Sequence, residues 1–198
     1  MELDGEDPIA LCYIGEAHEQ LGELELAKGF YKQSLELSPL LPDAWLGLGI
    51  VEDLQGRTRE ALTFIYKAAE LDPENAGIYC VLAGAYEKLE ETEKALEYYF
   101  LSLELDSNDE DCLTSYINLL NKTSYLKGLE YLENHLKISN SQFTQILKVN
   151  NLWKLGRKEE ALHLFASCLS EDKENAKEIF DLYPEFKNEN QFLQLIED

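Results

Sequence analysis

The sequence predicts an all-α fold, an α-solenoid of stacked antiparallel helix pairs closed at its C-terminal end by a helical cap. Three observations predict it. Residues recur every 34 positions, with Leu11, Trp45, Tyr79 and Leu113 in one column and Ile14, Leu48, Leu82 and Tyr116 in another. Within a unit the apolar positions follow helical spacing, as at Leu11, Ile14, Ala17, His18 and Leu21. Small residues keep the same register at Gly15, Gly49 and Ala83 and at Ala27, Ala61 and Ala95, while Pro39 and Pro73 close the first two units. A fixed period of this length marks a stacked array in which each unit buries its apolar face only against its neighbours.

Residues 8–41, 42–75 and 76–109 each hold two helical segments of roughly fourteen residues joined by a short turn. Gly22 and Gly56 stand where the first helix must stop, since glycine tolerates the left-handed conformation of a tight turn. Ala27, Ala61 and Ala95 are small because two helices cross there. Asp72-Pro73 ends a helix that proline cannot continue. Residues 110–140 read as a divergent fourth unit, in which Ile117 replaces the small residue and "YLKGLEYLENHL" aligns with "TEKALEYYFLSL" after one deletion. Residues 141–172 form a divergent fifth, with the Leu155-Gly156 turn and Ala161 restored. Residues 173–198 supply two short capping helices split around Pro184, with Ile179, Phe180, Tyr183, Phe192, Leu193 and Ile196 over the open end of the last pair. At the other end "ELDGEDP" imitates a repeat tail, because Leu3 and Asp4 precede Leu37 and Ser38 by one full period. The expectation there is a piece of a longer array, within one structural unit spanning 1–198.

"PIALCYIGEAHEQLGELELAKGFYKQSLELSP", "PDAWLGLGIVEDLQGRTREALTFIYKAAELDP" and "AGIYCVLAGAYEKLEETEKALEYYFLSLELDS" resemble tetratricopeptide repeats (TPRs), with the aromatic/Leu, Gly, Ala, aromatic, Ala and Pro positions in register. The resemblance implies a right-handed, TPR-like solenoid. It also implies a scaffold for other proteins, whose partner lies in a concave groove lined by the first helices of successive pairs. The columns that would face it are Cys12, Leu46, Cys80 and Thr114, then Glu16, Ile50, Gly84 and Asn118, then Glu19, Asp53, Glu87 and Asn121. That floor is small and apolar, edged by carboxylates, and amide-rich in the fourth unit. Chaperone-binding members of the family clamp a C-terminal carboxylate with Lys, Arg and Asn in these columns. Cys12, Glu16, Ile50, Cys80 and Gly84 stand there instead, so that activity is not implied.

The formal charge is −22, with 23 acids against 7 bases up to residue 107 (−16) and 16 against 10 after it (−6). Such a surface repels DNA, RNA and anionic lipid, which excludes nucleic-acid and membrane partners. It favours a protein or peptide with basic and apolar residues. The second function class is a structural or self-associating segment of a larger protein, a homo-oligomer among its forms. Residues Asn118, Asn121, Asn150 and Asn151 mark the degraded units as specialised, since packing alone does not require them.

Catalysis, metal binding and cofactor binding are not expected. His18, His135 and His163 are scattered over core or near-core repeat positions, and no HExxH, phosphate loop or nucleophile elbow is present. Cys12, Cys80, Cys112 and Cys168 lack ligand spacing and read as reduced structural thiols of a cytoplasmic protein. Trp45 reads as core, and Trp153 with Phe143, Ile146 and Lys154 as a surface patch on the fifth unit.

Overall fold

The computed structural model describes residues 7–139 and 141–197, so the repeat-tail residues at the N-terminus, Leu3 and Asp4 among them, lie outside the described residues. Every regular element among the described residues is helical. None of these helices is long and apolar enough to cross a membrane. The chain divides into two compact units, Met1–Asp106 and Ser107–Asp198, where the sequence alone suggested one. The boundary falls where the repeat register begins to fail.

The first unit contains three helix pairs: α1 (Pro8–Gln20) with α2 (Leu24–Leu37), α3 (Pro42–Leu54) with α4 (Thr58–Leu71), and α5 (Ala76–Lys88) with α6 (Thr92–Leu105). Helix α1 starts where it does because the Asp7 carboxylate accepts the Ile9 amide at 2.9 Å and Pro8 occupies the first helical position. Turns between paired helices use a residue at positive φ, Gly22 at 75° and Gly56 at 79°. The third turn places Glu90 at φ 61° in the equivalent position. A side chain there carries a left-handed penalty of roughly 1–2 kcal/mol, part of which glycine would return as extra unfolded-state entropy. Glu90→Gly is therefore expected to stabilise the chain by about 0.5–1 kcal/mol, read from urea unfolding.

The small column performs its role: Ala27, Ala61 and Ala95 are fully buried where the helices of each pair cross. Between the first and second pairs Ala27, Tyr31, Ala44, Leu48 and Val51 form one core cluster. Between the second and third pairs Ala61, Ile65, Ile78, Leu82 and Ala85 form the next. Side chains also fasten loops and helix ends at repeat-equivalent places. Ser34 Oγ donates to the Pro8 carbonyl at 2.7 Å and Ser102 Oγ to that of Ala76 at 2.9 Å. The Trp45 indole N–H donates to the Pro39 carbonyl at 2.8 Å, and the Tyr79 hydroxyl to that of Pro73 at 3.1 Å. Trp45 is thus half-buried rather than a core residue, with its polar edge tied to the loop.

The second unit contains α7 (Glu110–Thr123) with α8 (Tyr125–His135) and α9 (Gln142–Lys154) with α10 (Lys158–Glu171), followed by α11 (Lys173–Ala176), α12 (Ile179–Leu182), a 3-10 turn over Pro184–Asn188 and α13 (Asn190–Glu197). Helix α8 has 11 residues against 14 in α6, in keeping with the deletion read in the sequence. The terminal segment is more broken than two helices: α11 and α12 are separate four-residue turns, and Pro184 then opens the 3-10 turn. Ile179, Phe180 and Phe192 are buried there, Tyr183 and Ile196 half-buried, and Leu193 exposed.

Two further expectations are corrected. Trp153 and Ile146 are buried and form no surface patch: the Trp153 ring meets Phe192 at 5.0 Å and Phe186 at 5.9 Å, and Lys158 lies 4.3 Å over it. His163 is exposed on α10 and His18 half-buried, whereas His135 is in the core. Burial holds the His135 imidazole below its ordinary pKa, against a hydrogen bond with the Ser107 backbone.

Candidate functional site

Tyr31 of α2 reaches between α1 and α3 because both first helices carry glycine at the contact. A β-carbon on Gly47 would stand 2.2 Å from Tyr31 Cζ, and one on Gly15 2.9 Å from its Cε1. The Tyr31 hydroxyl donates to Glu19 Oε2 at 2.9 Å, which fixes that carboxylate. Burial and then the Glu19 charge raise the Tyr31 pKa well above its ordinary value, so the phenol stays a donor. Burial likewise raises the Glu19 pKa; the Tyr31 hydrogen bond opposes this and Glu16 adds to it.

These residues border a cavity of about 250 Å³ between α1 and α3. Ile9, Tyr13, Leu46 and Ile50 give it apolar walls, and Glu16, Glu19 and Asp43 give it three carboxylates. Tyr13 is 67% exposed, so the cavity opens to solvent on an aromatic ring. Cys12 lies at its edge, only 6% exposed, with Sγ 3.5 Å from Ser34 Oγ. Burial raises the Cys12 pKa against the Ser34 hydrogen bond, and Asp43 and Glu16 push it further the same way. Both carboxylates therefore act on one point of the cavity. Such a thiol is a weak nucleophile, and the arrangement suits binding rather than acyl chemistry.

Of the predicted columns, Cys12, Glu16, Glu19, Leu46 and Ile50 come together around this cavity. Asp53 is instead engaged by Lys88 Nζ at 2.5 Å and Thr58 Oγ1 at 2.7 Å. Glu87 accepts the Tyr99 hydroxyl at 3.1 Å, a repeat of the Glu19–Tyr31 pair. Cys80 and Gly84 are half-buried, and a β-carbon on Gly84 would lie 3.8 Å from the Tyr99 hydroxyl. Ile9, Tyr13 and Asp43 were not read from the columns. The signal was available, since Ile9 and Asp43 are themselves repeat-equivalent and flank the Cys12–Leu46 column.

In the second unit Thr114 is half-buried and Asn118 exposed. Asn121 is committed to packing: its amide and that of Asn151 exchange two hydrogen bonds, at 2.9 and 2.8 Å, and Asn151 also donates to the Tyr125 carbonyl at 3.1 Å. Gly128 makes the room, since a β-carbon there would stand 2.3 Å from Asn121 Oδ1. Packing thus does require Asn121 and Asn151, contrary to the reading of these amides as specialised for something else.

Residues 14–76 and residues 76–109 each match a family model described as tetratricopeptide repeat. Anaphase-promoting complex subunit 3 of Schizosaccharomyces pombe is 28% identical over 106 residues, which is 54% of this chain and 16% of that protein. Cell division cycle protein 27 homolog of Caenorhabditis elegans is 34% identical over 82 residues, 41% of this chain and 10% of that protein. The chain therefore spans less than a fifth of the length of either relative. Among solved structures YrrB, described as a TPR protein with an unusual peptide-binding site, aligns with a TM-score of 0.57 and 23% identity, covering 87% of this chain and 90% of that one.

Proposed function

We propose that this chain, whose residues 14–76 and 76–109 match tetratricopeptide-repeat models, is a scaffold that binds through its first unit a peptide or protein segment carrying Lys or Arg beside apolar residues. One observation carries the reading: the cavity between α1 and α3 combines apolar walls with Glu16, Glu19 and Asp43. It sits in a stretch whose charge is −16 up to residue 107. Apolar side chains of a partner find area to bury there, and its cations find carboxylates rather than the basic clamp an acidic tail would need. Tetratricopeptide repeats generally mediate protein–protein interaction, and the peptide-binding site described for YrrB is in line with such a role. The site comprises the columns Cys12, Glu16, Glu19, Leu46, Ile50, Asp53, Cys80, Gly84 and Glu87. Catalysis and a membrane have no place in this reading. A cytoplasmic setting goes with it.

Charge reversal tests it. Glu16 and Asp43 are exposed, whereas Glu19 holds Tyr31, so Glu16→Lys with Asp43→Lys alters the field while leaving the Tyr31–Glu19 hydrogen bond in place and removing only an exposed 3.5 Å contact from Gln20. Affinity for a basic, leucine-containing peptide is expected to fall about tenfold or more at low ionic strength, and the loss to shrink in high salt. Unchanged affinity with unchanged helicity rejects the groove. A second reading, a structural or self-associating segment whose activity lies outside this chain, is favoured by the match to anaphase-promoting complex subunit 3, only 16% of whose length aligns with this chain. A defined dimer of the purified chain that binds no basic peptide would turn the choice that way.

A further inference from the structure

The geometry points to a seat for one cationic side chain of the bound partner beside Glu19, in the place that Lys88 fills for Asp53 one repeat further on. This rests on the groove reading above and adds which partner group enters which cavity. Asp53 and Glu19 are repeat-equivalent, near the ends of α3 and α1. Lys88, the last residue of α5, reaches back to Asp53 at 2.5 Å, and the side chain of Asp53 is only 14% exposed. The position equivalent to Lys88 one repeat earlier is Leu54, the last residue of α3 and 53% exposed. The first interval therefore keeps the acid and lacks the cation that the second interval supplies from within.

Other features of the interval agree. Position 50 is Ile, but its equivalent in the first pair is Glu16, which places a second carboxylate beside Glu19, and Asp43 adds a third. Burial and the Glu16 charge already disfavour the ionised form of Glu19, so an arriving cation relieves a cost rather than displacing a partner. A volume of about 250 Å³ lies below the range typical of drug-sized ligands and suits a single side chain. Ile9, Tyr13, Leu46 and Ile50 then cover an aliphatic stem, as lysine and arginine stems are covered elsewhere when their charged heads reach polar groups. A hydrated metal ion fits such walls poorly.

The same equivalence supplies the test. Leu54→Lys installs the missing cation within the chain, and Leu40→Lys makes the same charge change at a leucine 71% exposed in the loop before α3. The probe is a capped peptide of alternating leucine and lysine, (Leu-Lys)3, followed by NMR of the Ile9 and Ile50 methyls and of the Glu19 carboxyl. Leu54→Lys is expected to lower the Glu19 pKa without peptide and to weaken peptide binding about tenfold, while Leu40→Lys does neither. In the unsubstituted chain the peptide itself should lower the Glu19 pKa. Because that pKa is raised in the free chain and falls on binding, affinity should be complete above the raised value and decline as pH drops through it. An unchanged Glu19 titration in Leu54→Lys, or full peptide affinity in that variant, overturns the inference. Peptide-induced shifts at Cys80 and Gly84 with none at Glu19 overturn it while sparing the groove. Silence throughout the first unit removes both.

Discussion

Phe192→Ala should cost the second unit about 3–5 kcal/mol, the range for removing a large aromatic from a packed core. Phe192 is fully buried although α13 is only eight residues long and lies at the edge of the fold. Its ring contacts Phe186 at 4.4 Å, Trp153 at 5.0 Å and Phe165 at 5.0 Å. It thereby joins α13 to both helices of the last pair. A helix this short is not stable alone, so its place depends on that burial. The two tryptophans separate the readout, because Trp45 lies in the first unit and Trp153 in the second. In a Trp45→Phe background, urea unfolding followed by Trp153 fluorescence should show the full loss. A change below about 1 kcal/mol would mean that the C-terminal segment is no cap.

Glu52→Ala should destabilise the first unit by about 3 kcal/mol, the lower end for removing one partner from a buried ion pair. Glu52 is 5% exposed and pairs with both Lys28 of α2 and Arg57 at the start of α4, so one carboxylate ties three helices. The lower end applies because Lys28 and Arg57 remain 23% and 44% exposed and can turn to water. Hydrogen bonds from Arg57 and then Lys28 hold the Glu52 pKa below its ordinary value despite burial. A depressed carboxylate contributes stability that is complete above its ordinary pKa and lost as pH falls through the depressed one. The gap between the native chain and Glu52→Gln should therefore persist near neutral pH and close only in strong acid, as measured by urea midpoints across pH. A gap that closed near pH 7 would contradict the ion-pair account. The position accepts other chemistry when its neighbours change: its equivalents are His18, paired with Glu23 at 2.5 Å, and Tyr86, with Lys94 4.7 Å above its ring.

The helix pairs of the first unit were legible because period, small residues and turn residues agree at every level. Glu90 shows the limit: register alone predicts a left-handed residue there, and the residue type does not. Beyond residue 107 legibility falls for a different reason. The Asn121–Asn151 amide pair depends on two side chains meeting across helices over a glycine, and no linear spacing announces it. Phe186 went unread because Pro184 replaces helical periodicity with a 3-10 turn, and Trp153 was misplaced for want of that partner. At the candidate site the columns supplied Glu16, Glu19, Leu46 and Ile50. The Tyr31 contact that fixes Glu19, and the Lys88 contact that occupies Asp53, are matters of side-chain reach. The repeat of Glu19–Tyr31 at Glu87–Tyr99, with the same separation along the chain each time, was the available hint.

The most direct test of the binding role is selection from an unbiased peptide array by the purified chain, in parallel with Glu16→Lys/Asp43→Lys. Enrichment of Lys or Arg next to leucine, isoleucine or aromatic residues, lost in the variant, is the predicted result. Selection of acidic C-terminal peptides, or the same selected set from both proteins, would contradict it.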